Sequence, residues 1–331
     1  MIRWIRFHLL DMTGILIIGL ALYFFSFGSN EAFKLDVSPS FLNMNTIFIS
    51  ILIEALPFVL IGVLIAGFIQ IFVREEHIQR WIPKNKFLAV LMSCVVGAAF
   101  PACECGIVPI VRRLIGKGVP IYAGIGFLLT GPLINPIVIF STYMAFGNDM
   151  KIAASRMILG FIISVIIAFL VSIFIKGNQL KHSVPSTVSS PTDKKSFVDQ
   201  LWDMLKHSID EFFDMGRYLV LGAFFASFVQ TYVSTKSLLA IGDDLGSSMA
   251  VMMGLAYVLS LCSEADAFIG ASFKNLFPTT AILSFLIYGP MIDLKNTIMM
   301  LSVFKARFVI ILLLLITGTV FSTLVLLHGL W

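Results

Sequence analysis

The chain has 331 residues, of which 58% are hydrophobic and only 13% are charged, and its formal net charge is +4. Together with a mean hydropathy of +0.97, this composition excludes a soluble globular domain and indicates a multi-pass protein of the cell membrane. So small a charge is typical of membrane proteins with basic cytoplasmic loops, and we expect the lipid bilayer, and no nucleic acid, as a partner. The four cysteines show no disulfide spacing, and we expect neither a cofactor nor an enzyme activity.

Apolar segments divide the chain into four parts. Residues 1–45 hold a predicted first span at 12–27 and a loop, and Arg3 and Arg6 place the N-terminus in the cytoplasm. Residues 46–175 and 201–331 each hold four further apolar segments, and residues 176–200, rich in Ser, Thr, Pro and Lys, are predicted to form a flexible cytoplasmic linker. The predicted segments are 46–73, 87–111, 119–146, 153–175, 201–233, 246–273, 278–297 and 306–327.

The stretch from Pro101 to Pro136 violates the usual composition of a membrane span. It contains Cys103, Glu104 and Cys105 in a row, and a carboxylate at the centre of a membrane helix costs about 2.5–3.5 kcal/mol. Gly and Pro are tolerated at this depth where the freed backbone groups find partners or line a polar cavity. We predict helix breaks at six residues of the chain: Pro101, Gly106, Gly131, Pro132, Gly289 and Pro290.

The two halves of the chain carry similar sequence at a nearly constant offset. At an offset of 158 the second half repeats the Gly-Pro pair of the first, and Asn135 corresponds to Asp293. At an offset of 160, Glu54 corresponds to Asp214. We therefore predict an internal duplication: an all-α polytopic membrane protein with two four-element repeats and one extra N-terminal span.

The distribution of Lys and Arg favours repeats of opposite orientation. If residues 87–115 dip into the membrane and return, the loop at 74–86, residues 112–117 and the linker are all cytoplasmic, as the positive-inside rule requires. The halves are then inverted repeats whose broken or re-entrant helices meet near the midplane, a recurrent plan in transporters. If the same segments are full spans instead, the repeats are parallel and the charge bias is weak. Both arrangements stay open.

Two stretches supply most of the candidate residues for substrate binding or coupling. In the first, the thiols of Cys103 and Cys105 flank Glu104, and thiolates bind soft metals and metalloids such as Cu(I), Zn(II) or As(III). The alternative is that these cysteines are simply small buried residues. The second stretch, LCSEADAFIGASF, holds acids that indicate proton or cation coupling if it lies in the membrane and a solvated turn if it does not. Its candidates are Cys262, Glu264 and Asp266.

Polar residues after the two Gly-Pro pairs are the remaining candidates. Asn135 is predicted either to hydrogen-bond between helices or to line the substrate path together with Asp293. Asp293 and Lys295 follow the second Gly-Pro pair. The alternative to a role in the substrate path is that the Lys295 side chain extends to the cytoplasmic rim beside a local counterion. Asp214 and Arg217 are spaced to neutralise each other on one helix.

The motifs PACECGIVPIVRRLIGKGVP, FLLTGPLINP and LCSEADAFIGASF resemble those of the predicted-permease family that includes the ArsP and YraQ proteins. The resemblance covers most of residues 46–327. ArsP members are efflux permeases for trivalent organoarsenicals, but most members of the family have no established substrate. The resemblance therefore implies a permease more firmly than it implies arsenic as the substrate. It also implies a second, smaller membrane protein as a partner.

Three functions stay open at this point. The favoured one is a secondary transporter that exports a small solute or ion, such as a soft metal ion, a metalloid or an organoarsenical; the chain has no Walker A pattern for an ATP site of its own. The second is a membrane thiol–disulfide carrier that uses Cys103 or Cys105 with Cys262. The third is a membrane subunit of a larger complex that does not itself transport.

Overall fold

In the computed structural model, the described residues are 39–73, 75–101, 103–175, 177–181, 197–232 and 244–330. The predicted first span at 12–27 lies outside them. Within these ranges the structure is built of helices, and an isolated bridge between Leu180 and Phe304 is the sole β-type pairing. The prediction of an all-α membrane protein is confirmed.

Long and short helices come in the same order in the two halves of the chain. Among the described residues, each half begins with a long helix, continues with four short ones and ends with a long one, and the first half also contains a helix of seven residues after its first long helix. In the first half the helices are α1 (Pro39–Phe72), the additional α2 (Glu75–Trp81), α3 (Lys86–Ala98), α4 (Glu104–Gly116), α5 (Ile121–Ile134), α6 (Pro136–Ala145) and α7 (Met150–Phe174). In the second half they are α8 (Phe197–Tyr232), α9 (Leu245–Leu259), α10 (Ser263–Ser272), α11 (Thr279–Met291), α12 (Leu294–Val303) and α13 (Ala306–Leu326), followed by a 3-10 turn at His328–Leu330.

Five helical stretches in the described part of the chain are long and apolar enough to cross a membrane. They are Pro39–Phe72, Ile121–Ala145, Met150–Phe174, Val198–Tyr232 and Ala306–Leu326. The apolar helices α3 and α9 have 13 and 15 residues, which gives lengths of about 20 and 22 Å at about 1.5 Å per residue. Because the hydrocarbon core is about 30 Å thick, neither helix crosses it alone. Each therefore ends inside the membrane if it starts at a surface.

The two longest helices, α1 and α8, pack against each other in antiparallel directions. Near the end of α1, the hydroxyl of Ser208 donates a hydrogen bond to the carbonyl of Val63 at 3.2 Å. Near the start of α1, the ring of Phe48 lies 6.3 Å from the ring of Phe224, which is close to the end of α8. Residue numbers thus rise along one helix while they fall along the other, so the N-terminus of α1 and the C-terminus of α8 lie on the same side.

A pair of glycines lets α1 cross α4 with backbone contact. A Cβ atom on Gly62 would lie 2.2 Å from the carbonyl oxygen of Gly106, and one on Gly106 would lie 2.7 Å from the carbonyl oxygen of Phe58. Any side chain here forces the helices apart. On α8, Gly222 lets the helix approach the backbone of Lys295 on α12 in a similar way, with a Cβ distance of 3.1 Å to the Lys295 carbonyl. These crossings fix the backbones of α4 and α12, which carry much of the site described below.

Arg112 and Arg113, predicted to lie in a loop, are part of α4. The side chain of Arg113 donates to Glu211 on α8 through Nη2 at 2.6 Å and Nε at 2.8 Å, and Arg112 donates to the same carboxylate at 3.3 Å. The ammonium of Lys117 binds the carbonyls of Gln70, at 2.8 Å, and Val73, and so satisfies the end of α1. Arg112 and Arg113 therefore join the two halves through Glu211, which compensates one of their two positive charges.

The first residues of the predicted linker are attached to the second half. The Lys181 amide donates to the Val303 carbonyl at 2.8 Å, and the Lys305 amide donates to the Gln179 carbonyl at 3.0 Å. The last predicted linker residues belong to α8, which begins at Phe197. Residues 177–181 are therefore an ordered connection across the junction of α12 and α13.

Candidate functional site

The break between α3 and α4 places a carboxylate at the start of a helix. We call Pro101 and residues 103–105 the first tip. Pro101 lies in the break, Cys103 is the N-cap in an extended conformation, and Glu104 begins α4 with only 2% of its surface exposed. The free amides of a helix N-terminus favour a negative charge at this position. The local sequence thus stabilises a buried carboxylate where the helix starts.

The break between α9 and α10 makes a similar arrangement in the second half. We call residues 260–266 the second tip. Ser260 ends α9 with a left-handed backbone at φ 47°, Cys262 is the N-cap of α10, and Glu264 and Asp266 lie in its first turn. Asp266 is 1% exposed, whereas Glu264 is half-buried. The structure thus places the candidates Cys262, Glu264 and Asp266 at the start of one helix.

Lys295 links the first tip to the second half of the chain. Its ammonium lies 3.4 Å from Oε1 of Glu104 and 3.7 Å from Oδ2 of Asp293, and it donates to the Ser260 carbonyl at 3.3 Å. Lys295 is only 5% exposed. The alternative of a side chain that extends to the membrane rim is therefore wrong for Lys295, because three oxygen acceptors hold its charge inside the protein.

Arg156 links the second tip to the first half. Its guanidinium donates to the Ser263 carbonyl at 3.0 Å and to the Thr142 hydroxyl at 2.6 Å, and the residue is 1% exposed. The charge of Arg156 also interacts with those of Asp266 and Glu264. Each half therefore supplies a buried cation to the tip of the other half.

The two tips belong to one electrostatic cluster. The carboxyl group of Asp266 interacts with the charges of Arg156, Glu104, Asp293 and Lys295. If all five groups are ionised, three carboxylates face two cations and the cluster carries a net charge of −1. An excess of negative charge favours a bound cation or proton over an anion.

Several buried acceptors of this cluster lack a hydrogen-bond partner within the described ranges. They are Oε2 of Glu104, both carboxylate oxygens of Asp266, Oδ2 of Asp293 and Oδ1 of Asn296. Buried polar atoms are paired in the great majority of protein structures, and each unpaired one costs about 1–3 kcal/mol. Such a concentration of unpaired oxygens in one place is typical of a site that binds a positively charged ligand.

The cysteines lie beside the carboxylates. The thiols of Cys103 and Cys105 are in mutual contact and near the charge of Lys295, and the thiol of Cys262 lies beside the Glu54 carboxylate on α1. All four cysteines of the chain are free thiols. In the described part of the chain, no group of three or more His, Cys, Asp or Glu side chains has metal-binding geometry. The predicted metal ligands Cys103 and Cys105, like the thiol–disulfide alternative, stay predictions.

The residues predicted to break the helices lie close to the breaks, but most of them lie inside helices. Gly106 is the third residue of α4, and the two Gly-Pro pairs lie in the last turns of α5 and α11. The new helices begin because Asn135 caps α6 by accepting from the Val138 amide at 2.9 Å, and Asp293 caps α12 by accepting from the Asn296 amide at 2.5 Å. These two side-chain caps fix where α6 and α12 begin. The glycines and prolines of the two Gly-Pro pairs do not mark these starts.

Gly289 has a separate role at the site. A Cβ atom there would lie 2.8 Å from Oδ2 of Asp266. The glycine therefore makes room for the buried carboxylate of the second tip. Asn135, which is also buried, is placed by the structure at the cap of α6, where its side chain accepts a hydrogen bond from the backbone of that helix.

Arg156 is a residue of the site that is not among the candidates predicted from the sequence. It is the fourth residue of the predicted apolar span 153–175, and an arginine in such a span is itself a signal. Charged residues within membrane segments are rare and face the protein interior. That signal identifies Arg156 as buried but not its partners, which lie on α6 and α10.

A family model described as a predicted permease matches residues 40–329. The chain belongs to this family. It is 52% identical to the protein YcgR of Bacillus subtilis over 291 residues, which cover 88% of this chain and 98% of that protein. It is 43% identical over 271 residues, covering 82% of this chain and 90% of the relative, to a Streptococcus mutans protein named as a candidate subunit of a two-component membrane permease complex. No solved structure matches the chain significantly.

Membership confirms the predicted resemblance and makes the chain a predicted membrane permease rather than an enzyme. The match covers both tips, both Gly-Pro pairs and all five candidate spans in the described residues. The site described above therefore lies within the residues that the family model matches.

Proposed function

We propose that the chain is the transporting subunit of a secondary permease that moves a small, soft cation past the two tips. The observation that carries the proposal is the convergence of Glu104, Asp266 and Asp293 with Lys295 and Arg156, where helices of both halves begin. Burying five ionisable groups in a membrane protein is costly. Intramembrane charges of this kind mark substrate and ion pathways.

The ligand set favours a soft or borderline cation. It combines carboxylate oxygens with a backbone carbonyl, and the thiols of Cys103 and Cys105 lie beside them. Thiolates favour soft metals and metalloids, whereas carboxylates and carbonyls provide negative charge without such a preference. A soft metal ion or a trivalent arsenical with one or two organic groups fits this combination, and a large anion does not.

Proton movement is the energy source that the site best supports. Both carboxylate oxygens of Asp266 are buried and lack a hydrogen-bond partner among the described residues. A carboxyl group in this position can hold a proton during one part of the cycle and release it when a cation approaches. Glu264 and Cys262, half-buried in the same turn, provide a path toward it.

The arrangement of the halves supports inverted repeats. The helices follow the same order of length in both halves, and the corresponding helices α1 and α8 run antiparallel. Inverted repeats with discontinuous helices at the binding site are a recurrent plan for alternating access. Efflux is the direction that the resemblance to organoarsenical exporters favours, and the basic loops favour a cytoplasmic N-terminus.

A second membrane protein is part of the proposal. The Streptococcus mutans relative, with 43% identity, carries a name that refers to a two-component permease complex. We therefore propose that this chain forms the membrane path and that a partner protein binds it. In this arrangement the chain is a subunit of a larger complex and also the part that transports.

Transport in sealed vesicles tests the proposal. We expect membrane vesicles containing the protein to move Cd²⁺ or trivalent methylarsenite when a pH gradient is imposed. Glu104→Gln and Asp266→Asn should each reduce the flux at least tenfold at an unchanged protein level, whereas Glu76→Gln on the exposed surface of α2 should leave it unchanged. Normal flux in both site variants would refute the assignment of the tips as the transport site.

A further inference from the structure

We infer that an apolar groove between α2, α3 and α5 binds one acyl chain of an anionic phospholipid, whose headgroup contacts basic residues at the mouth of the groove. We call this cavity the lipid groove. Its lining, within the described residues, includes no residue of either tip. The inference therefore does not depend on the proposed transport function.

The lipid groove is large enough for a ligand and runs along a helix. Its volume is about 480 Å³, and pockets that hold small ligands measure about 300–1,000 Å³. Ala89, Met92 and Val96 line it from successive turns of α3. From Ala89 to Val96 the helix rises about 10 Å, at about 1.5 Å per residue. An elongated cavity of this kind fits a hydrocarbon chain.

The chemistry of the lining also favours hydrocarbon. Among the described lining residues, Ser93 and the indole of Trp81 supply the polar side-chain atoms, and the others are aliphatic residues, Phe127 and Gly124. The Ser93 hydroxyl donates to the Val90 carbonyl at 2.8 Å, so it already has a partner on its own helix. No charged side chain lines this part of the described chain. An apolar ligand gains from burial here, whereas a charged one would lose its hydration without compensation.

Positive charge surrounds the mouth of the groove. The connection from α2 to α3 reads RWIPKNK from Arg80, and Arg80, Lys84 and Lys86 are exposed. Trp81 lies in the same stretch, is 79% exposed and lines the groove. Across residues 74–86, four basic and two acidic residues leave a net charge of +2. A basic mouth above an apolar groove is complementary to a lipid with an anionic headgroup.

The direction of the groove matches that of a lipid in a bilayer. By the positive-inside rule, the basic connection lies on the cytoplasmic side, and the cytoplasmic leaflet carries anionic lipids that attract Lys and Arg by about 1 kcal/mol each. Trp81 is of the residue type that is enriched at the membrane surface. α3 begins at this connection and ends inside the membrane, so a chain that follows it extends from the headgroup region toward the midplane.

The inner part of the groove reaches the neighbourhood of the first tip. Phe127 of α5 lines the groove, and the centre of its ring lies 5.6 Å from that of Phe100. Phe100 directly precedes Pro101, where the break between α3 and α4 begins. An acyl chain in the groove therefore packs beside the aromatic pair that adjoins this break.

Quenching of Trp81 fluorescence by brominated lipids tests the inference, because this indole lines the groove. The sample is the full-length protein in detergent with its other three tryptophans changed to phenylalanine. It is titrated with phosphatidylglycerol or with phosphatidylcholine that carries the same dibrominated chains. We expect half-maximal quenching at a phosphatidylglycerol concentration at least fivefold lower than that of phosphatidylcholine. Equal concentrations, or no quenching by either lipid, overturn the inference.

Two triple variants test the basic mouth. The first is Arg80→Gln/Lys84→Gln/Lys86→Gln, which should abolish the preference for phosphatidylglycerol. The control removes three exposed basic residues from other parts of the surface: Lys151→Gln/Lys274→Gln/Arg307→Gln. The control should keep the preference. A preference that survives in the first variant, or that is lost equally in both, overturns the role of the mouth and with it the inference.

A pair of neighbouring valines tests the groove itself. Val96 lines it and is 52% exposed, whereas Val95 is 53% exposed and is not among the lining residues. Val96→Phe should raise the phosphatidylglycerol concentration needed for quenching at least fivefold, and Val95→Phe should leave it unchanged. Equal values in the two variants overturn the inference. So does quenching that is lost when the protein is concentrated, because a second copy of the chain would then cover the groove. The comparison of the two lipids needs no change at the groove, so it decides the matter even if a variant fails to fold.

Discussion

Arg156 illustrates how one side chain can join two distant parts of a membrane protein. It lies on α7 in the first half and binds the backbone at the second tip, 107 positions further along the chain. Its charge also faces the buried carboxyl group of Asp266. Removing one member of a buried ionic group leaves the other uncompensated, which costs about 3–5 kcal/mol.

Arg156→Met should therefore destabilise the protein far more than the loss of an exposed arginine. We expect a clearly lower melting temperature in detergent for Arg156→Met and an unchanged one for Arg307→Met, whose side chain is exposed. The double variant Arg156→Met/Asp266→Asn should recover part of the loss, since it removes the charge that was left alone. A double variant that melts no higher than Arg156→Met would show that the two charges are not coupled.

At the scale of helices, the crossing of α1 and α4 depends on the absence of a side chain at Gly62. Gly62→Val places carbon atoms where the Gly106 carbonyl lies, so we expect the two helices to separate and the protein to be lost from the membrane. Gly216→Ala is the matched control, because nothing lies within 4 Å of a Cβ at that position. Normal levels of a transport-competent Gly62→Val protein would contradict the close crossing.

The ion pairs of α8 differ sharply in their surroundings. Glu211 is buried and binds both Arg112 and Arg113, whereas Asp214, one turn later, is exposed and pairs with Arg217 on its own helix. We expect Glu211→Gln to destabilise the protein by about 3–5 kcal/mol. Asp214→Asn should cost at most about 1 kcal/mol, because surface ion pairs contribute little. Thermal unfolding of both variants compares them directly, and equal effects would refute the distinction.

The breaks between helices show what a single sequence can predict. Pro101, the Gly-Pro pairs and the acids at both tips are unusual in apolar surroundings, so their sequence positions identify where the membrane helices are interrupted. α5 continues past the predicted break at Gly131 and Pro132 to Ile134, because neighbouring groups can satisfy the backbone that a proline frees in a membrane helix. The cap at Asn135 determines where the next helix starts.

The partners within the site could not be predicted in the same way. Glu104 and Lys295 are 191 positions apart, and nothing in the local pattern around either residue indicates the other. The predicted pair of Asp214 and Arg217 was found because both residues lie on one helix turn. Local periodicity identifies contacts within an element, whereas contacts between elements follow from the packing of the whole bundle.

At the scale of the whole molecule, the antiparallel packing of α1 and α8 predicts the sidedness of the chain. Single cysteines at Glu76 and Asp199 should react with a membrane-impermeant maleimide from one face, and a cysteine at Ser40 should react from the opposite face. All three side chains are exposed. Each variant is compared with the unaltered protein, which gives the background from the native thiols. Labelling of Glu76→Cys and Asp199→Cys from opposite faces would exclude the antiparallel arrangement in the membrane.

The reciprocal placement of the two buried cations has a consequence for biosynthesis. Glu104 enters the membrane 191 residues before Lys295 is made, and at about 5–20 residues per second this interval lasts about 10–40 s. During that time the Glu104 carboxylate lacks its partner Lys295, and Arg156 lacks its partner at the second tip. A nascent chain halted after α7 therefore holds Glu104 and Arg156 without their partners from the second half, and we expect it to be degraded faster than the complete chain.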